Sequence, residues 1–226
     1  MANKAQQNPK QQDTSKGPIF FDEARGENGW LSPMYASKFS WREREYLCVE
    51  QVVQCCKAIF FNKKDISQAL LNSENPDTFK SLSKQLDTHI AEQGDSGVIE
   101  SWNKVAMGVM AKVNYAKFTA SDDAETLRDL LLKTGDRELV AISEDEVWGC
   151  GMTWSEATAY KTEAKGKPWP WPGRNLLGKS LMDTRSRLFI EQREAQNHKT
   201  ARKPTTTEGD EEVDEDWVVV EDWTLL

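Results

Sequence analysis

Between Ile99 and Val113 apolar side chains return at steps of three and four, as Ile99, Trp102, Ala106, Val109, Met110 and Val113. A helix puts them on one stripe, and a stripe of that length needs a partner surface to bury it. Val49, Val52, Val53, Cys56, Ile59 and Phe60 repeat the pattern and predict a buried helix over 48–61. Asn75-Pro76 reads as a cap and first-turn proline, opening a helix that carries Phe79, Leu82 and Leu86. Ser121-Asp122-Asp123 caps a helix through Leu127, Leu130 and Leu131 that stops at Gly135, and a last helix runs from about Asn175 through Leu181, Met182 and Leu188. Strand signals are few: Pro18 to Phe21, an alternating hairpin over Tyr35 to Leu47, and Glu138 to Ile142. Non-repeating helices with a few short strands predict an α+β fold, a single mainly helical domain.

Composition sets the limits of that domain. Residues 1–17 are Gln, Asn, Lys and Ser with almost no bulky apolar side chain, too little to offset the entropy of ordering, and are expected to be a disordered arm. From Ala195 apolar periodicity ends, so the domain is placed at 18–194 and a flexible acidic tail at 195–226. Nine of the 37 acidic residues lie between Glu208 and Asp222, where no basic residue stands, so most of the net charge of -8 comes from the tail. The rest of the chain is nearly neutral and carries no compositional signature of nucleic-acid binding.

No apolar run approaches the ~20 residues of a bilayer-spanning helix, and the N-terminus lacks the pattern of a secretory or transit signal. Cytosol or nucleus is the expected compartment. Four cysteines, with Cys55 and Cys56 adjacent on a helix, argue against a disulfide framework. His89 and His198 stand at no metal-ligand spacing from them, so no metal or redox cofactor is expected; magnesium could assist only through a diphosphate.

Three segments could carry chemistry. Glu50, Gln54 and Lys57 share one face of the first helix, a polar stripe on an otherwise apolar element. Two readings are open: a solvated face with weak pairing, or a carboxylate and an ammonium beside a cleft, each setting the other's protonation. Ser143 to Gly151 places acidic residues, Asp145 among them, after a strand and before a Trp148-Gly149-x-Gly151 turn whose glycines allow close approach to the backbone. The alternative is a surface turn packed under Trp148. Gly173 to Gly178 opens the last helix and could present backbone N–H groups to phosphate, although its glycines match no known phosphate loop.

In this order the segments resemble the NADAR (NAD and ADP-ribose-associated) family over about residues 19–190. The resemblance is carried by Phe20-Phe21, Glu50-x-x-x-Gln54-x-x-Lys57, Trp102 followed by Val109-Met110, Lys117-Phe118, and Leu131-Leu132-x-Thr134-Gly135. It continues through Leu139-Val140, Asp145-x-x-Trp148-Gly149-x-Gly151 and Gly173-x-Asn175-x-Leu177-Gly178-x-x-Leu181-Met182-x-x-Arg185. Three departures stand out. Ser32-Pro33-Met34 replaces the family's Ser-Asn-Phe, and Ser83-Lys84-Gln85 stands where a Gly-Arg pair is usual, so a phosphate contact is either lost or supplied by Lys84. The link over 152–172, ending in Pro168-Trp169-Pro170-Trp171-Pro172, is longer than the family's.

The resemblance implies an enzyme that cleaves a ribose C1–exocyclic nitrogen bond. The substrate is ADP-ribose on guanine, as nucleoside or nucleic acid, or a ribosylamino-pyrimidine of riboflavin synthesis; a non-catalytic ADP-ribose-binding module is the third reading. Glu50 and Asp145 are then expected to supply the negative charge and the proton that an oxocarbenium-like state needs. Lys57 would orient Glu50 or attack the opened sugar as an amine. Gln54, Trp102, Trp148, Gly149 and Asn175 are the expected substrate-binding residues, with core packing as the alternative for both tryptophans. In the tail, Trp217–Val220 and Trp223–Leu226 each pair an aromatic with an aliphatic residue three positions on, after acidic residues. They look like the short motif that binds ubiquitin-like autophagy modifiers by adding to a sheet edge; autoinhibition of the site is the alternative.

Overall fold

A computed structural model describes residues 17–23, 26–163 and 171–201. The expected arm before residue 17, Trp169, and the tail motifs at 217–220 and 223–226 lie outside the described residues. Seven helices and four three-residue strands are described: β1 (Ile19–Phe21), β2 (Phe39–Trp41), β3 (Arg44–Tyr46), α1 (Val49–Phe60), α2 (Lys64–Leu71), α3 (Pro76–Gln93), α4 (Ser96–Ala120), α5 (Ala124–Lys133), β4 (Leu139–Ala141), α6 (Trp154–Glu163) and α7 (Leu176–Ala201). The fold is a mainly helical α+β domain. None of the described helices is long and apolar enough to cross a membrane.

The stripe on α4 organises the body. Its Trp102, Ala106, Met110 and Val113 are buried, and α4 packs against α1, α5 and α7. The stripe of α1 buries Val49, Val52, Val53 and Cys56, with α2 beside it. Asn75 caps α3 as its sequence predicts, its Oδ1 accepting from the N–H groups of Asp77 and Thr78. Asp123 precedes α5 without capping it. Its carboxylate accepts from the Ser37 and Ser121 hydroxyls and ties the hairpin region to the end of α4. The last helix, read in the sequence through Leu188, runs on to Ala201, because the polar residues after Glu194 hold helical geometry without an apolar stripe to reveal it.

The four cysteines are free and buried. In the β2–β3 hairpin, Phe39 pairs with Tyr46 and Trp41 with Arg44 across a two-residue turn, Arg42 and Glu43 both taking positive φ. The pairing that matters for function is the other one. β1 and β4 run parallel, Ile19 opposite Leu139 and Phe21 opposite Ala141. Strands far apart in the chain therefore deliver the segments that follow them to the same edge, where ligands of parallel strands usually sit.

A cleft between a helix and a strand edge

At that edge lies a cleft of about 700 Å³, within the range of small-molecule sites. One wall is the polar face of α1, with Glu50, Gln54 and Lys57. The opposite contributions come from the segments after β1 and β4, with Asp22 and Glu23 from the first and Ser143, Glu144 and Asp145 from the second. Ser32 to Met34 also line it, as does Trp154 at the start of α6. The stripe on α1 therefore faces a cleft, the placement that the second of the two readings of its spacing requires.

Glu50 stands in the first turn of α1, and its own N–H donates to the Pro33 carbonyl at 2.9 Å. Burial pushes its carboxyl above the usual carboxylate range, against the lowering effects of a hydrogen bond from Gln54 and the nearby charge of Lys57. Gln54 Nε2 donates to Glu50 Oε1 at 2.7 Å, and turning its amide that way leaves its own Oε1 buried without a hydrogen-bond partner. Lys57 Nζ donates to Asp87 Oδ1 at 2.5 Å. Asp87, on α3, also lines the cleft; no motif marks it, because it reaches the site only through the packing of α3 beside α1.

Asp145 is exposed and built into a turn. Its Oδ1 accepts from the N–H groups of Val147 and Trp148 at 2.7 and 2.8 Å. Trp102 is buried in the core against Phe60, ring centroids 5.5 Å apart, yet also lines the cleft. Trp148 likewise packs on the core and lines it. Gly149 lines it too, but the space its Cβ would take belongs to the chain itself, Ser143 Cβ lying 2.5 Å away. The turn's glycines thus serve close approach between segments of the protein.

Asn175 is placed elsewhere. It is 2% exposed, its Oδ1 accepts from the Ala141 N–H at 3.0 Å, and its Nδ2 donates to the Leu139 carbonyl at 2.9 Å. It clips β4 to the start of α7. The expectation of a phosphate site at 173–178 also meets an occupied backbone. Arg174, Asn175, Leu176 and Leu177 donate their N–H groups to the carbonyls of Glu146, Gly149, Val147 and Trp148. Lys84 is not part of the cleft wall.

Lys117 stands in the family pattern beside Phe118 with no role attached to it. It is fully buried, and its Nζ donates to the carbonyls of Trp30 at 2.6 Å and Ser32 at 3.0 Å. Desolvation pushes its ammonium down to about 7, against the smaller raising influences of Cys48 and Asp123. It pins the segment whose next residue, Pro33, accepts from the Glu50 N–H.

A helical body with an acid-lined cleft at the carboxyl ends of two parallel strands defines the class. The NADAR domain model matches residues 19–189, and the chain belongs to that family. A protein of Acanthamoeba polyphaga mimivirus named as an N-glycosidase is 28% identical over 142 residues, 62% of this chain and 74% of that protein. The NMR structure of the Escherichia coli protein YbiA has the same fold, with a TM-score of 0.57 and 24% identity over 79% of this chain and 88% of that one.

Proposed function

We propose that the protein is an N-glycosidase that hydrolyses a bond between ribose C1 and an exocyclic nitrogen, with ADP-ribose on guanine as the substrate. The observation that carries this is Glu50, a carboxyl in a cleft wall whose proton affinity is raised by burial. It donates that proton to the nitrogen as the C1–N bond breaks and the bonding pair leaves with the base. The Asp145 carboxylate, on the strand-edge side, offsets the positive charge that grows on the ribose. Water then adds to C1 and returns a proton to Glu50. Lys57, held by Asp87, keeps a positive charge near Glu50. The name of the mimivirus relative agrees with the reaction class.

A second reading, cleavage of a ribosylamino-pyrimidine of riboflavin synthesis, is favoured by charge. Asp22, Glu23, Glu50, Asp87, Glu144 and Asp145 line the cleft, with Lys57 the one cationic side chain among its described walls. A diphosphate meets repulsion there unless a cation accompanies it. Incubation with ADP-ribosylated guanosine, ADP-ribosylated DNA and the ribosylamino-pyrimidine, with and without magnesium, followed by mass, tests both. Release of free ADP-ribose supports the first reading, and release from the pyrimidine alone replaces it with the second. Borohydride added during turnover decides the role of Lys57. A sugar adduct trapped on wild type and absent from Lys57→Ala makes it an imine-forming nucleophile, and no adduct leaves it electrostatic.

A further inference from the structure

Trp102 and Trp148 are largely buried where they meet the cleft, whereas Trp154 lines the same cleft with half of its surface exposed. An indole left half open at the mouth of a site offers ring surface on which a ligand can stack. It is also held in place. Thr153 and Glu156 form a reciprocal cap at the start of α6, the Thr153 N–H and hydroxyl donating to Glu156 Oε2 at 2.8 and 2.7 Å. Phe20 meets the Trp154 ring edge-on with centroids 6.1 Å apart, and Phe20 is backed in turn by Trp171 at 5.7 Å. Trp171 Nε1 donates to Glu138 Oε1 at 2.9 Å, and its ring packs on Tyr160. Trp171 is therefore the brace, and Trp154 is the ring that is braced.

We propose that Trp154 is the stacking platform for a second planar heterocycle of the ligand, so that the cleft takes a two-base molecule such as ADP-ribosyl-guanine. The proposal rests on the N-glycosidase reading for the position of the scissile bond, while the stacking itself stands on the aromatic geometry. Two features support it. The platform is ordered before the ligand arrives, so little side-chain entropy is lost on binding. Carboxylates crowd the described walls and give poor purchase on phosphates, whereas stacking on an indole does not depend on charge. Affinity for the distal nucleoside then comes from its ring.

The test measures calorimetric binding of ADP-ribose and of ribose 5-phosphate to wild type, Trp154→Ala and Trp154→Phe. Base–aromatic stacking predicts a loss of roughly 5- to 150-fold in ADP-ribose affinity for Trp154→Ala. Trp154→Phe should retain most of that affinity, and ribose 5-phosphate should bind all three proteins alike. No binding of ADP-ribose to wild type, unchanged affinity in Trp154→Ala, or an equal loss for both ligands would each overturn the proposal. Turnover of ADP-ribosyl-guanosine and of phosphoribosyl-guanosine, which keeps the bond and lacks the adenosine, separates this idea from the one beneath it. A selective loss of ADP-ribose binding without cleavage of either compound keeps the platform and removes the glycosidase. Cleavage of both, impaired equally by Trp154→Ala, keeps the glycosidase and removes the platform.

Discussion

The two walls of the cleft each present a carboxylate, and they do so by opposite means. Glu50 sits on a buried helix, where desolvation raises its affinity for a proton. Asp145 sits in an exposed turn, where two backbone N–H groups hold one of its oxygens. The same chemical group is thereby given two different environments, and the proposed role of Glu50 as proton donor rests on its being the reluctant anion of the two. Each wall also has its own hidden support. Lys117 pins the 30–33 segment against which Glu50 is hung, and Asn175 clips the strand that leads to Asp145.

Neutralising the two carboxylates gives the largest expected effect. Glu50→Gln keeps shape and the helix's apolar face, and turnover should fall by about two orders of magnitude or more. The variant should also be more stable than wild type at pH 7. A carboxyl raised in the folded state loses stability as pH rises from the ordinary carboxylate value through its folded value, and glutamine has no such loss. Asp145→Asn keeps an acceptor for Val147 and Trp148, so its turnover should fall by roughly tenfold to a hundredfold with thermal stability unchanged. Equal pH dependence of stability in Glu50→Gln and Asp145→Asn, measured by denaturant unfolding from pH 4 to 8, would break the contrast between the walls.

The support of the helical wall is tested through Lys117. Its ammonium lies at about 7 in the folded protein, below the usual 10.5. The cost of burying the charge is thus fully present below pH 7 and is relieved as pH rises toward 10.5. Lys117→Met should be less stable than wild type, since two carbonyls lose their donor, and the deficit should widen between pH 7 and 9.5. A deficit that stays constant across that range would mean that the buried lysine is charged throughout.

Much of the helical wall was legible in the sequence. The spacing of Glu50, Gln54 and Lys57 fixed their common face, because a single long helix carries its own register. What faces them was not legible. The parallel pairing of β1 with β4 joins three-residue strands across most of the domain, too short for an alternation signal, so Asp22 and Glu23 had no reason to be singled out. Thr153-x-x-Glu156 is a capping box and would have marked the start of α6, and with it Trp154. Asp87 depends on how α3 packs beside α1, and no local pattern encodes that.

The smallest expected effect on chemistry, and the sharpest on the strand-edge wall, belongs to Asn175. Its position in the family pattern suggests contact with substrate, but its amide is spent on the backbone of β4. It also takes φ 50°, a left-handed conformation that Asn tolerates better than most residues. Gly178, one turn into α7, leaves no room for a Cβ beside Leu139 O at 2.0 Å, so helix and strand cannot move apart to rescue a changed side chain without losing that contact. Asn175→Ala should therefore lower stability by about 2 kcal/mol, from one unpaired N–H, one unpaired carbonyl and backbone strain. KM should stay within about twofold of wild type at a temperature where the variant remains folded, a free-energy change of less than ~0.5 kcal/mol. A tenfold rise in KM with stability unchanged would return Asn175 to the binding site and show that the clip is dispensable.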